Sequence, residues 1–533
     1  MTVSYDYIIA GGGSAGCVLA ARLSEDPDIK VLLLEAGGSD RNPLFHIPAG
    51  FARMTKGIAS WGWSTVPQKH MKDRVFWYTQ AKVIGGGSSI NAQVYIRGNH
   101  QDYDLWAQSG CAGWSYRDVL PYFKRAEGNS RLRDEYHGTD GPLSVSDPWA
   151  TLPIGEAFLA AAVEAGLERN PDFNGARQEG MGFYQVTQKK GRRSSAATAY
   201  LKPALSRPNL TVRRDALVLR ILVEKGRAVG VEIAASGRRE LLRAKREVIL
   251  SSGAIGSPRL LLLSGIGPAD HLKSLGITPV FDAPNVGSNL QDHLDLCTIN
   301  ECTGDHTYDK YGKPHWAALA GVLYYLFRGG PAASSLFVTG GFVKVDENAD
   351  EPDLQFHLGF GSGIEAGIAK LKNSGVTLNS AYMRPRSRGS VRLASADPAA
   401  APLIDPNYWS DPHDREMSLR GVELAREIMA KPALRPFVLA ERVPGPEVKT
   451  RDELADYACA SAKTDHHPVG TCRMGIDDKA VVNPDLTFRG IRGLRVADSS
   501  IMPNVITGNT NAAVIMIAEK AADMIRGRVP LGA

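Results

Sequence analysis

The sequence predicts an α/β protein built on a Rossmann-type dinucleotide-binding domain with a second domain beside it. Three observations predict this. A short apolar run near the N-terminus, Tyr7-Ile8-Ile9-Ala10, leads directly into the glycine turn Gly11-Gly12-Gly13-Ser14-Ala15-Gly16. An apolar helical stretch and a second apolar run, Ile29-Lys30-Val31-Leu32-Leu33-Leu34, follow and end at Glu35. Finally, 533 residues are too many for one ordinary hydrophobic core, so two domains are expected.

The first βαβ unit is justified residue by residue. Gly11 permits the tight turn, Gly13 lets the backbone approach a pyrophosphate, and Gly16 lets the helix pack on the strand. The N-terminus of the helix beginning at Ser14 and Ala15 offers free N–H groups and a positive dipole end to phosphates. Glu35 lies nineteen residues after Gly16, placed to accept hydrogen bonds from ribose hydroxyls. NAD and FAD both fit this fingerprint.

Further along, Val83-Ile84-Gly85-Gly86-Gly87-Ser88-Ser89-Ile90-Asn91-Ala92 reads as a packed loop that wraps a polar group with main-chain donors, because apolar Val83, Ile84, Ile90 and Val94 flank it. The alternative is a flexible surface loop. Leu210-Thr211-Val212, Ala216 to Ile221 and Val229 to Ile233 read as an antiparallel meander, in which the Val218 backbone is a contact for an adenine ring. The strand Val248-Ile249-Leu250 leads into a second glycine turn, and a helix is expected from about Ser257-Pro258, with proline in its first turn. Asp353 to Phe360 alternates like a strand with one buried face, Ser390 to Leu393 reads as another, and Gly361 to Lys372 as a mobile loop near a pocket. Asp498 closes an apolar strand, where it suits either a cofactor contact or a turn cap. The stretch from Asn511 reads as an amphipathic helix with Asn511 as its cap.

Composition narrows the function classes. Hydrophobic residues make up 43% and charged residues 22%, as in soluble globular proteins. The 62 basic and 57 acidic residues are interleaved with no run of like charge, so no nucleic-acid partner is expected; Lys189-Lys190-Gly191-Arg192-Arg193 reads as a solvated turn, with a phosphate or nucleic-acid patch as the alternative. Six cysteines without a Cys-x-x-Cys pair, and an N-terminus lacking a signal-like pattern, point to reduced thiols in the cytoplasm. No metal site is expected. The apolar run Trp316 to Phe327 is too short to span a bilayer. It reads as a core or cap helix, with a surface helix touching a membrane as the alternative, so membrane contact is at most peripheral.

Together these segments resemble the glucose–methanol–choline oxidoreductases, flavoproteins that oxidise alcohols. The resemblance runs nearly end to end: the N-terminal fingerprint, Val83–Gly98, Gly253–Gly267, Val286-Gly287-Ser288-Asn289-Leu290-Gln291-Asp292-His293, and the block from His467 to Ala513. It implies FAD, and a fold whose FAD domain comprises 1–155, 195–305 and 462–533. Residues 156–194 and 306–461 then form a substrate domain on an antiparallel sheet with helices over it. It implies cofactor contacts at Gly11, Gly13, Ser14, Ala15, Gly16, Glu35, Val83, Gly87, Ser88, Asn91, Ala92, Val94, Val218, Asp498, Asn511 and Ala512. Ile90 stands where some members carry a flavin-linked histidine, so the FAD is expected to be noncovalent.

The same resemblance implies that His467 takes the hydroxyl proton while flavin N5 takes the hydride, and that Asn511 is the second catalytic residue, its amide donating to the developing alkoxide. His466 is ambiguous: it contacts the flavin, lines the pocket or packs. The substrate is expected to be a sugar, a polyol or a primary or aromatic alcohol, as in sorbose dehydrogenases and hydroxymethylfurfural oxidase. The electron acceptor is oxygen or a quinone or respiratory carrier. A hydroxynitrile lyase-like, non-redox member of the same fold is the alternative.

Overall fold

Two seven-stranded sheets organise the chain in the computed structural model, which describes residues 4–54, 57–364 and 369–531. In chain order the elements used below are β1 (Ser4–Ala10), α1 (Ser14–Leu23), β2 (Val31–Leu34), β3 (Gly180–Phe183), β4 (Leu210–Arg213), β5 (Ala216–Glu224), β6 (Arg227–Ala235), β7 (Arg238–Leu250), α2 (Gly253–Leu263), β8 (Leu294–Cys302), α3 (Pro314–Phe327), β9 (Thr339–Val343), β10 (Leu354–Gly359), β11 (Gly375–Tyr382), β12 (Val438–Val443), β13 (Lys463–Thr464), β14 (Leu494–Val496) and α4 (Asn511–Ile525).

The first sheet has the order β4-β2-β1-β7-β6-β5, with β14 also paired to β7. Its β1, β2, β4 and β14 neighbours run parallel, as buried all-apolar strands such as Val31-Leu32-Leu33-Leu34 require helices on both faces. The thirteen-residue β7 joins two architectures: Arg238–Arg243 pairs antiparallel with β6, and Arg243–Leu250 pairs parallel with β1. The expected meander is therefore corrected at its first strand. Leu210 to Val212 pairs parallel with β2, as the edge of the dinucleotide sheet, while β5, β6 and β7 form the meander.

Two helices differ from expectation. α2 begins at Gly253, four residues before Ser257, so Pro258 lies inside it. Proline cannot donate to the carbonyl four residues back, which is that of Ala254. The Thr471 hydroxyl donates to that oxygen instead, at 2.6 Å, and the helix continues past the proline. α4 is not amphipathic: it packs against α1, and eleven of its residues are buried, Glu519 and Lys520 included. Arg22 and Tyr200 donate to the Glu519 carboxylate, so that the buried charge is paired.

The second sheet has the order β12-β8-β11-β10-β9-β3, all antiparallel, with β13 also paired to β8. β8 and β13 belong to this sheet although the sequence grouped their residues with the cofactor segments. The alternation of β10 is real, but both faces are buried. Leu354, Phe356 and Leu358 join the apolar core, and Gln355 and His357 face a polar interior instead of water. Of the expected loop Gly361–Lys372, residues 365–368 lie outside the described residues. The run Trp316–Phe327 does form a helix, α3, but a surface one: only Ala320 and Tyr324 are buried.

Candidate active site

A single elongated cavity runs between the two sheets. One end is walled by Glu35 and by Ala216, Leu217 and Val218 of β5, the middle by Gly11, Gly13, Ser14, Ala15, Gly86, Gly87, Ser252 and Gly253, and the far end by His466, His467, Asn509, His357 and Phe337. The middle is built for an anion. Gly13 is the N-cap of α1 and no side chain caps the helix, so its first N–H groups point at the cavity with the positive dipole end. Side chains are excluded from the turn: a Cβ on Gly11, where φ is +110°, would lie 2.5 Å from the Ser251 carbonyl oxygen, and one on Gly16 would lie 1.9 Å from that of Gly11. Glu35 accepts from the backbone N–H of Gly12 at 2.8 Å and of Gly37 at 2.7 Å, which holds its carboxylate at the end of β2. Burial pushes its pKa up to about 7 despite these donors. A glycine cradle, an uncapped helix end and an acidic residue at the next strand end fit a dinucleotide cofactor.

At the far end a chain of hydrogen bonds assigns the state of His467. The Met383 carbonyl can only accept, so His293, 3.1 Å away through Nε2, carries its proton there. His293 Nδ1 is then an acceptor, and it lies 3.0 Å from His467 Nδ1. The Asp465 carboxylate stands 3.5 Å from the same nitrogen. Two acceptors around Nδ1 place the His467 proton there. Nε2 is left with its lone pair, 3.2 Å from the Asn509 amide nitrogen, which donates to it. Gln355 Nε2 donates to Asn509 Oδ1 at 3.1 Å and so fixes which way that amide points. Burial, with His293, His357 and His466 nearby, holds His467 well below the usual imidazole range; burial takes His293 to about 3. Both rings are neutral.

Asp292 fastens this pair to the fold. One carboxylate oxygen accepts from the backbone N–H of His467 at 2.8 Å and of His293 at 3.0 Å. The other accepts from Tyr78 at 2.9 Å, Tyr408 at 2.5 Å and Thr464 at 2.6 Å. His466 has φ of +61°, its N–H donates to Thr464 Oγ1, and its side chain and that of the next residue both face the cavity.

The cavity gathers most of the sequence-predicted residues: Gly11, Gly13, Ser14, Ala15, Glu35, Gly87, Asn91, Ala92, Val94, Val218, His466, His467, Asp498 and Asn511 all line it. Four others stand behind its wall. Gly16 packs against the Gly11 carbonyl. Val83 is in an apolar cluster with Phe45, Met54 and Ile90. Ser88 Oγ donates to the Gly85 carbonyl and accepts from the Ala196 N–H, which spends it on holding the glycine loop. Ala512 is buried in α4. Asp498 accepts from Gly253, Ser257 and Ser500, capping two turns at the cavity's edge.

Asn511, expected as the second catalytic residue, lines the cavity with its side chain bonded to Ser14. It is the first residue of α4, with Thr510 as N-cap, and its Oδ1 accepts from Ser14 Oγ at 2.8 Å, in the anion cradle. Asn509, two residues earlier and outside the helix, is the amide beside His467. The sequence also passed over Gln355, His357 and the roles of Asp292 and His293. The last two stand in a motif noticed for its resemblance alone, and the first two announced themselves only as the polar face of β10.

A dinucleotide cradle and a buried imidazole line one cavity, an arrangement that fits the oxidoreductases. The comparisons specify which. The chain matches the GMC oxidoreductase family over residues 5–295 with its N-terminal model and 385–518 with its C-terminal model. It is 45% identical over 541 residues to an alcohol dehydrogenase [acceptor] of Pseudomonas putida, covering 99% of this chain and 96% of the relative. It is 44% identical over 529 residues to an oxygen-dependent choline dehydrogenase of Sinorhizobium fredii, with the same coverage of 99% and 96%. Among solved structures, pyridoxine 4-oxidase from Mesorbium loti superposes with a TM-score of 0.90 at 31% identity, covering 99% of this chain and 100% of that one. The chain belongs to the GMC oxidoreductase family. It is an FAD-dependent enzyme acting on CH–OH donors.

Proposed function

We propose that this enzyme oxidises primary alcohols bearing an apolar or aromatic group to aldehydes, with His467 as general base and Asn509 as the residue that orients the hydroxyl. The observation that carries the reading is the unprotonated Nε2 of His467, aimed into the cavity beside the Asn509 amide. A hydroxyl hydrogen-bonded between them gives its proton to Nε2, and the Asn509 amide stabilises charge gathering on oxygen. Bound FAD supplies the two-electron acceptor for the hydride leaving carbon. The cofactor is held noncovalently: Ser14 and Ala15 at the end of α1 take the pyrophosphate, Glu35 a ribose, and the β5 backbone at Val218 the adenine. Ile90, facing the cavity, offers no atom for a covalent link.

Phe51, Phe337 and Ala92 line the cavity and pack with Leu336 and Ile364, which supports an apolar substrate over a sugar or polyol. The family relatives reported above are named dehydrogenases and oxidases, which favours oxidation over the lyase alternative. Electrons leave to oxygen or to a quinone or respiratory carrier.

The test is anaerobic reduction of the yellow holoenzyme. Benzylic and medium-chain alcohols are expected to bleach it faster than sugars and polyols; a panel in which no alcohol bleaches it sinks the reading. His467→Ala is expected to retain its flavin yet be reduced at least ~10²-fold more slowly. Reoxidation with oxygen against a soluble quinone ranks the two acceptors.

A further inference from the structure

The largest feature that the site leaves unexplained is α3. A surface helix ordinarily turns its apolar stripe inward. In α3 Leu319, Val322, Tyr325, Leu326 and Phe327 face outward, between 42% and 69% exposed. Trp149, 53% exposed, extends this ridge beyond the helix end, where its ring lies against Gly329.

Basic residues dominate both ends of the helix. From Lys310 to Lys344 the chain contains no Asp or Glu. Lys313 is exposed at the start of α3, with Lys310 a turn before it and Lys370 beside Gly312. Arg328, at φ 54°, ends the helix. The Lys189–Arg193 turn seats Gly191 on the Arg328 carbonyl, which brings exposed Lys189, Lys190 and Arg192 to that end. Asp309, just before this stretch, accepts from Thr307, Ser362 and Gly375, while Asp147, near Trp149, pairs with Arg131 at 2.7 Å, and Asp40 lies 4.0 Å from His46.

We propose that α3 lies in the headgroup plane of an anionic membrane, its apolar ridge among the acyl chains and its cationic ends on lipid phosphates. The chemistry selects this occupant. A second copy meeting the same face about a two-fold axis would bring basic ends together. An anionic bilayer takes apolar ridge and cations at once. The contact is interfacial, because no helix among the described residues is long and apolar enough to cross a membrane. Beneath the ridge, the Tyr324 hydroxyl donates to the His46 carbonyl, and the turns 331–333 and 48–50 pack together. Those turns lead directly to Phe337 and Phe51 in the cavity wall, so the docked face adjoins the substrate end of the site.

The experiment is flotation of the FAD-loaded protein with vesicles of equimolar phosphatidylcholine and phosphatidylglycerol, and with pure phosphatidylcholine. The protein is expected to float with the anionic vesicles, at least ~10-fold more weakly with the neutral ones, and less as salt rises. The double variant Leu326→Glu/Phe327→Glu is expected to lose binding altogether. Lys190→Glu/Arg192→Glu is expected to weaken it by about fivefold per charge. Retained flavin absorbance and alcohol turnover in both variants separate loss of docking from loss of fold. No flotation with either lipid, or flotation unchanged in both variants, overturns the proposal. So does a wild-type dimer that Leu326→Glu/Phe327→Glu splits into monomers while lipid binding is absent, because a second copy then covers the ridge.

Discussion

His467, the proposed base, shows how little of such a residue's state resides in its own side chain. Its tautomer is dictated by a backbone carbonyl two bonds away, that of Met383, relayed through His293. His293 is thus a positioning residue, and His293→Ala is expected to lower kcat at least ~10-fold while changing KM little, because His467 Nδ1 then loses the nearer of its two acceptors and the ring its fixed orientation. The pH profile separates this from simple damage. A base needs its neutral form, and a depressed imidazole stays neutral down through its ordinary range. In the wild type the acidic limb of kcat/KM is therefore expected below 6.5, the usual histidine value, and His293→Ala, which lets water in, is expected to move that limb upward. The two asparagines separate equally cleanly. Asn509→Ala is expected to slow flavin reduction ~10²-fold with flavin retained, whereas Asn511→Ala, which removes the partner of Ser14, is expected to weaken flavin retention with a smaller effect on reduction of the bound cofactor. Reversed phenotypes would restore Asn511 to the catalytic position.

Among elements, α2 contains a repair that can be measured. Pro258 deprives the Ala254 carbonyl of its helical donor, and Thr471, from a distant loop, replaces it. Thr471→Val is expected to cost about 1–3 kcal/mol, the penalty for an unsatisfied buried acceptor. Pro258→Ala restores the N–H donor, so in the double variant Thr471→Val is expected to cost clearly less. Denaturant midpoints of the four proteins give the coupling directly, and strict additivity would contradict the account. The same loop carries Gly470 and His467, which makes Thr471 a tether between the second glycine turn and the catalytic segment.

Across the whole molecule, a buried ion cluster ties the cofactor side to the segment 170–174. Arg97 and Glu127 pair at 2.5 Å, His137 bonds Glu127 at 3.2 Å and Asp172 at 3.0 Å, and the Arg97 N–H donates to Asn174. Burial lowers the His137 pKa, but the bonds to Asp172 and Glu127 outweigh it and raise it to about 9. A raised folded value means that the protonated ring stabilises fully below its unfolded pKa, and the contribution disappears as pH rises through about 9. Glu127 and Asp172 are held below the carboxylate range by these cations, so their share is lost instead on acidification. Between pH 7 and 10 the wild-type melting temperature is expected to fall ~2 °C or more further than that of His137→Gln. Parallel curves would remove His137 from the stability of the molecule.

The sequence by itself determined the dinucleotide half. Gly11, Gly13, Gly16 and Glu35 act within one βαβ unit, and contacts that close along the chain leave a pattern in the chain. His467 was legible through its family motif, and so was the existence of a nearby asparagine. Which asparagine was not: Asn509 and Asn511 differ only in which side of the α4 boundary they fall, and that boundary is set by packing on α1. The polar face of β10 reads as solvent-exposed because alternation marks two faces without saying what covers each. Only the tertiary structure put Gln355 and His357 against the catalytic loop, carried a hydroxyl from Thr471 to a helix more than two hundred residues away, and left the apolar side of α3 uncovered. Hydrophobic period records how a segment divides its side chains; the partner that meets each side is decided by chain topology, which no local pattern contains.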